Sequence, residues 1–161
     1  MAEESSAVTL SVPPPALVRA VNPLLRVLLR IPVMGAAGKE FMVVRLKGRK
    51  TGQQYAIPVS AHWIDNDLYA LSNALWKHNF RDGTAAEVLH GGRRTTMHGE
   101  LIQDRSVVAD LYRRSAEFYG VKKAQRMMGL KFRDQQTPSL KEFTEAVDQL
   151  HLAAIRFTPA G

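Results

Sequence analysis

Between residues 41 and 102 the chain breaks into short apolar runs separated by tight turns, and this punctuation constrains the fold more than any other feature. Phe41-Met42-Val43-Val44-Arg45-Leu46 is a compact apolar run of strand length. Lys47-Gly48-Arg49-Lys50-Thr51-Gly52 is a turn bracketed by glycines, and residues 55–63 read as the returning strand. Asp65-Asn66-Asp67 is a tight polar turn into a third strand over 68–72. Residues 85–89 and 95–102 form a hairpin across Gly91-Gly92. A final strand is expected over 151–157. About six strands with such short turns exceed what one flat sheet needs, and closure into a small barrel is the economical solution because it removes exposed edges.

The helices fall outside this block, apart from a short one over 75–81. Residues 106–119 carry apolar positions at Val107, Val108, Leu111, Ala116 and Phe118, with Gly120 as a stop. A second helix runs over 122–128 to Gly129. Ser139-Leu140-Lys141-Glu142 is a capping box that opens a helix to about residue 149. The reading is an α+β fold. Residues 1–38 form an N-terminal extension, and 39–161 form the domain.

Within that extension Arg19, Arg26 and Arg30 share one face of an expected helix over 16–30, with leucines largely opposite. Such a helix packs on the domain or lies on an anionic membrane. Three arginines argue against a spanning segment, and the acidic start Glu3-Glu4 argues against a secretory signal. A cytoplasmic protein, with peripheral membrane contact through 16–30 as an option, is the expectation.

The chain has no cysteine, so disulfides, thiolate nucleophiles and Cys-ligated metals are excluded. The five histidines, His62, His78, His90, His98 and His151, form no helical metal pair, and Asp65 with Asp67 makes a turn rather than a cage. Ser60 and Ser72 lack a triad context. No metal and no covalent nucleophile are expected.

The formal net charge is +7 and calls for an anionic partner. Its excess is concentrated. Residues 39–54 hold five basic side chains and one acidic, and residues 101–133 hold eight basic and three acidic. In the first stretch, glycines at 48 and 52 let backbone N–H groups turn toward an anion. Arg49 adds a planar fork of donors, Lys50 a point charge and Thr51 a hydroxyl. A strand follows, not a helix, so this is no Walker loop. A solvated basic hairpin turn is the competing reading. Pro58 inside the returning strand marks an edge, a bulge or a packing site. Trp76 and Asn79, three residues apart on the short helix, share a face, where an aromatic wall and an amide would flank a flat ring. The alternative for Trp76 is an ordinary core aromatic.

Taken in order, Gly48-Arg49-Lys50-Thr51-Gly52, Pro58 and Trp76-Lys77-His78-Asn79 resemble the deazaflavin-dependent nitroreductase family of split β-barrels, over about residues 40–103. The resemblance implies coenzyme F420 as cofactor. It implies that Arg49, Lys50, Thr51 and Gly52 hold the phosphate, that Pro58, Val59 and Ser60 line the ring, that Ser72 and Asn73 approach the pocket, and that Leu75, Trp76 and Asn79 close it. It further implies an oxidoreductase that passes a hydride to an apolar quinone-, enone- or nitro-type small-molecule acceptor. The sequence departs from the family pattern at Val59-Ser60, Asn73, Phe80 and Asp82-Gly83. Other ligands for such a barrel are FMN, haem, or an anionic ligand bound without catalysis. Tyr112 and Tyr119 are candidate proton donors or plain helix packing, and Met127, Met128, Leu130 and Phe132 line a cleft or belong to the core. Nucleic acid is disfavoured, because the basic stretch 122–133 contains Phe132 alone among aromatics. The oligomeric state is open between monomer and homodimer.

Overall fold

The structure, a computed structural model, describes residues 7–10, 40–48, 52, 54–73 and 75–160. The helix expected over 16–30 lies outside these residues, as do Arg49, Lys50 and Thr51. Nine strands and three α-helices are found among the described residues. The chain divides into two compact units, one mostly strand and one mostly helix.

The strand unit is a curled, mostly antiparallel half-barrel, in line with the α+β expectation. Its members are β2 (Phe41–Lys47), β3 (Gln54–Ser60), β4 (His62–Ile64), β5 (Asp67–Ser72), β6 (Thr84–His90), β7 (Arg93–Ile102) and β9 (Ala153–Pro159), with the ends of β5, β7 and β9 assigned to the helical unit. The sheet order is β3-β2-β6-β7-β9-β5-β4. The two outermost strands, β3 and β4, are therefore consecutive in the chain and separated by Ala61 alone. One bent strand pairs with β2 along its first half and with β5 along its second. Ala61 is buried at the bend, and its N–H donates to the Glu40 carbonyl at 2.9 Å. The single strand expected over 55–63 is thus two, because the curl of the sheet requires a change of partner midway.

Turn chemistry sets the hairpins. Asp65 and Asn66, at φ 51° and 70°, join β4 to β5, and Gly91 and Gly92, at φ 59° and 77°, join β6 to β7. Two central residues with positive φ match the right-handed twist of the strands they connect, and Asn and Gly tolerate that region best. Inside the curl, Met42, Val44, Leu46, Phe80, Ala86, Val88, Ile155 and Phe157 form the apolar core. Leu75–Phe80 is a 3₁₀ helix that delivers Phe80 into it, edge-on to Phe157 at 5.6 Å between centroids. Gly99 makes room for this pair: a Cβ there would stand 2.5 Å from the Phe80 ring and 3.0 Å from Phe157.

The helical unit contains α1 (Arg105–Tyr119), α2 (Val121–Met128) and α3 (Leu140–Leu150). Asp104 caps α1 by accepting from the N–H groups of Ser106 and Val107. The capping box of α3 is formed as expected: Glu142 N–H donates to Ser139 Oγ at 3.1 Å, and Ser139 N–H donates to Glu142 Oε1 at 3.0 Å. A two-stranded antiparallel ribbon, β1 (Val8–Leu10) with β8 (Leu130–Phe132), lies in the same unit. Neither three-residue strand was expected, and β1 comes from the stretch read as N-terminal extension. Tyr112, Met127, Met128, Leu130, Phe132 and Phe143 pack together in the core of this unit. His151, expected to start the last strand, instead ends α3 with φ 57°.

Two stability tests follow from this packing. Gly99→Ala drives a methyl group into two buried rings and is expected to cost about 2 kcal/mol, read as a lower denaturation midpoint. His62 is buried, and desolvation lowers its pKa from 6.5 to about 4. Unfolded, the same imidazole titrates near 6.5, so between the two values the unfolded state carries a proton that the folded state lacks. The stabilising contribution is complete above that window and is lost as pH falls through it, by about 3 kcal/mol in full. Denaturation of His62→Gln between neutral pH and pH 4 is expected to show a flatter pH dependence than the parent.

Candidate functional site

The hairpin β2–β3 has two faces of different character, because side chains alternate along a strand. One face carries Met42, Val44 and Leu46, paired with Val59, Ile57 and Tyr55; it packs into the core except at its open end, where Tyr55 is exposed. The other carries Phe41, Val43, Arg45 and Lys47, paired with Ser60, Pro58, Ala56 and Gln54. This second face is graded. Val43 is buried and clusters with Leu89 of β6, Phe41 and Ala56; Arg45 is half-buried; Lys47 and Gln54 are exposed toward the turn. At the end of the hairpin the Gly52 N–H donates to the Gly48 carbonyl at 3.0 Å, and Gly52 takes φ 68°.

A cleft opens beside this graded face. The β2–β6 ladder runs from Met42↔His90 to Arg45↔Glu87 and then stops, although both strands continue. Beyond that point β2 stays paired with β3 down to Lys47↔Gln54, while β6 stays paired with β7 down to Thr84↔Gly99. The two hairpins part, and a cleft of about 590 Å³ lies between them. Arg45, Lys47, Tyr55, Ala56, Glu87 and Thr96 are among its lining residues. Arg45 Nη1 donates to Glu87 Oε1 at 3.2 Å, and Arg94 Nε reaches the same oxygen at 3.3 Å. One carboxylate thus stands against two guanidinium groups and Lys47. Each of these part-exposed pairs is worth about 1 kcal/mol or less. The remaining positive potential and the Tyr55 and Thr96 hydroxyls suit an anionic ligand.

The residues singled out in the sequence fare differently. Pro58 lies on an outermost strand, where its missing N–H costs least. Pro58 and Ser60 share the graded face, whereas Val59 packs against the core. A ring lying on this strand therefore meets the side chains of Pro58 and Ser60, or that of Val59, but not all three. Ser72 is half-buried at the end of β5 and Asn73 is exposed beside it, both in the helical unit. Leu75 begins the 3₁₀ helix. Trp76 and Asn79 do come together, since residues three apart align in a 3₁₀ turn. Trp76 packs on the core with its ring edge-on to Phe80 at 6.1 Å, and Asn79 Nδ2 donates to the Trp76 carbonyl at 2.9 Å. That amide proton caps its own turn.

The same segment is cationic. Lys77 is buried, and desolvation lowers its pKa. His78 Nδ1 lies 3.1 Å from Arg81 Nη2, and desolvation, then Arg81, then Lys77 lower its pKa. Tyr112 of α1 is not set up as an acid. Tyr112 is fully buried against Phe143, and burial pushes its hydroxyl well above the ordinary phenol range. Met127, Met128, Leu130 and Phe132 are core, not cleft. Among the described residues no cluster of His, Asp and Glu is arranged to hold a metal ion, and no helix is long and apolar enough to cross a membrane.

Arg45, Lys47, Tyr55, Glu87 and Thr96 were not singled out in the sequence. The basic alternation Arg45-x-Lys47 entering the turn was the available signal for two of them. Comparison with protein-family models gives no match, and no similar curated protein is found.

The cleft yields one direct expectation. Arg45→Ala is expected to weaken binding of a phosphate-bearing ligand by about tenfold, while Glu87→Gln strengthens it, both read by equilibrium titration.

Proposed function

We propose that this protein binds coenzyme F420 and acts as an oxidoreductase toward apolar quinone-, enone- or nitro-type acceptors. One observation carries the reading: the graded face of the β2–β3 hairpin, apolar at Val43 and Pro58 and basic at Arg45 and Lys47, leading into the Gly48–Gly52 turn. A ligand with a flat head and an anionic tail has the same polarity along its length. The resemblance of Gly48-Arg49-Lys50-Thr51-Gly52, Pro58 and Trp76-x-x-Asn79 to the deazaflavin-dependent nitroreductases selects F420 among such ligands.

The donor set fits this group. Arg49, Lys50 and Thr51 would hold the phosphate on a turn that the Gly52 N–H closes by donating to the Gly48 carbonyl, and Arg45 and Lys47 would continue the positive lining. Pro58 and Ser60 would flank the ring from the strand, while Trp76, packed with Val59 against the core, belongs to the other face of the sheet. Tyr55 and Thr96 offer hydroxyl donors along the cleft. When bound, the reduced deazaflavin supplies the hydride, and the protein's task is placement and exclusion of water.

Titration of the folded protein with F420, followed by fluorescence, is expected to give saturable binding that Arg49→Ala weakens about tenfold. Absence of binding at high micromolar F420 contradicts the reading, and unchanged affinity in Arg49→Ala removes the phosphate assignment. A flavin spectrum in the protein as purified would point to FMN instead.

A further inference from the structure

The second concentration of positive charge lies in the helical unit. From Phe118 to Arg133 the chain has five basic residues and no acidic one. α2 carries three of them, Lys122, Lys123 and Arg126, all exposed. At 100° per residue they occupy one arc of the helix, and Ala124, Met127 and Met128 occupy the opposite arc, buried in the core. α2 is thus docked on its apolar side and presents only cations outward.

Phe118 stands at the corner where α1 gives way to α2. It is 82% exposed, the most exposed large apolar side chain among the described residues. Its ring meets Tyr119 edge-on at 5.5 Å, and Lys123 Nζ sits 5.5 Å from the centre of the Tyr119 ring. Phe118, Tyr119 and Lys123 are therefore one contiguous patch, continued by Lys122 and Arg126. Two carboxylates on α1 are paired with Arg113: Glu117 accepts from it at 2.8 Å, and Asp110 accepts from the same guanidinium at 2.7 Å.

We propose that this corner docks on an anionic phospholipid bilayer, with Phe118 entering the headgroup layer and Lys122, Lys123 and Arg126 facing the lipid phosphates. The charge is complementary, and a protruding phenylalanine ringed by cations suits a soft, negatively charged interface. Single-stranded nucleic acid fits less well. It needs open aromatic faces for successive bases, whereas one face of Tyr119 is taken by Lys123 and its neighbouring ring is turned edge-on. The docking is independent of cofactor binding, because it shares no residue with the cleft.

The test is co-sedimentation of the full chain with phosphatidylcholine vesicles, with and without about one third phosphatidylserine. Binding is expected only with the anionic lipid and is expected to fall as salt rises. The double variant Lys122→Gln with Arg126→Gln is expected to bind roughly twentyfold more weakly, and Phe118→Ser about tenfold more weakly. An unchanged melting temperature and unchanged F420 titration would show that these exposed substitutions leave the fold alone. Equal binding to neutral vesicles overturns the proposal, as does anionic binding that neither variant weakens. Retention of an oligonucleotide that both variants weaken, without vesicle binding, overturns it in favour of nucleic acid.

Discussion

The change of partner at Ala61 is the constraint on which the rest of the strand unit depends. A strand that pairs with β2 before this residue and with β5 after it brings the two edges of the sheet to the same corner. Curling the sheet creates an inside, and the inside is filled by Phe80, Phe157 and the alternate residues of β2 and β6. The fit is tight enough that β7 carries a glycine where two rings approach. The same curl forces a local failure of pairing elsewhere. β2 and β6 part after Arg45 and Glu87, and the opening becomes the cleft.

A site made in this way inherits its polarity from strand alternation. The inward residues of β2 are apolar because the core needs them, which leaves Arg45 and Lys47 on the outward face as the strand leaves the buried region. Glu87 offsets part of that charge and holds Arg45 in place. The excess positive charge of the whole chain has two separate structural settings: the hairpin that ends in the glycine-bracketed turn, and the docked helix α2.

Elements with local causes were legible in the sequence. Asp65-Asn66 and Gly91-Gly92 announce two-residue hairpins by their tolerance of positive φ, and Ser139 with Glu142 announces a helix start by reciprocal hydrogen bonds. Elements with non-local causes were not. Ala61 stands between Ser60 and His62 with no glycine or turn cluster beside it, so nothing local signals a change of partner. The ribbon of Val8–Leu10 with Leu130–Phe132 joins residues more than a hundred positions apart, through strands too short to display a period. His151 looked like the first residue of a strand, but the chain needs it in a left-handed cap before Leu152. In the site, Trp76 and Asn79 could be paired from their spacing. The inward turn of the Asn79 amide, the opposite facing of Val59 and Pro58, and the end of the β2–β6 ladder all depend on register.

In the proposed function, the parting of the β2–β3 and β6–β7 hairpins forms a binding site for a ligand with a flat head and an anionic tail. Backbone amide chemical shifts recorded during addition of F420 test it most directly. Saturable shifts are expected, concentrated in residues 45–60 and 84–87, with Arg45, Lys47 and Gly52 among the largest. Shifts confined to other parts of the chain, or none at saturating ligand, would contradict it.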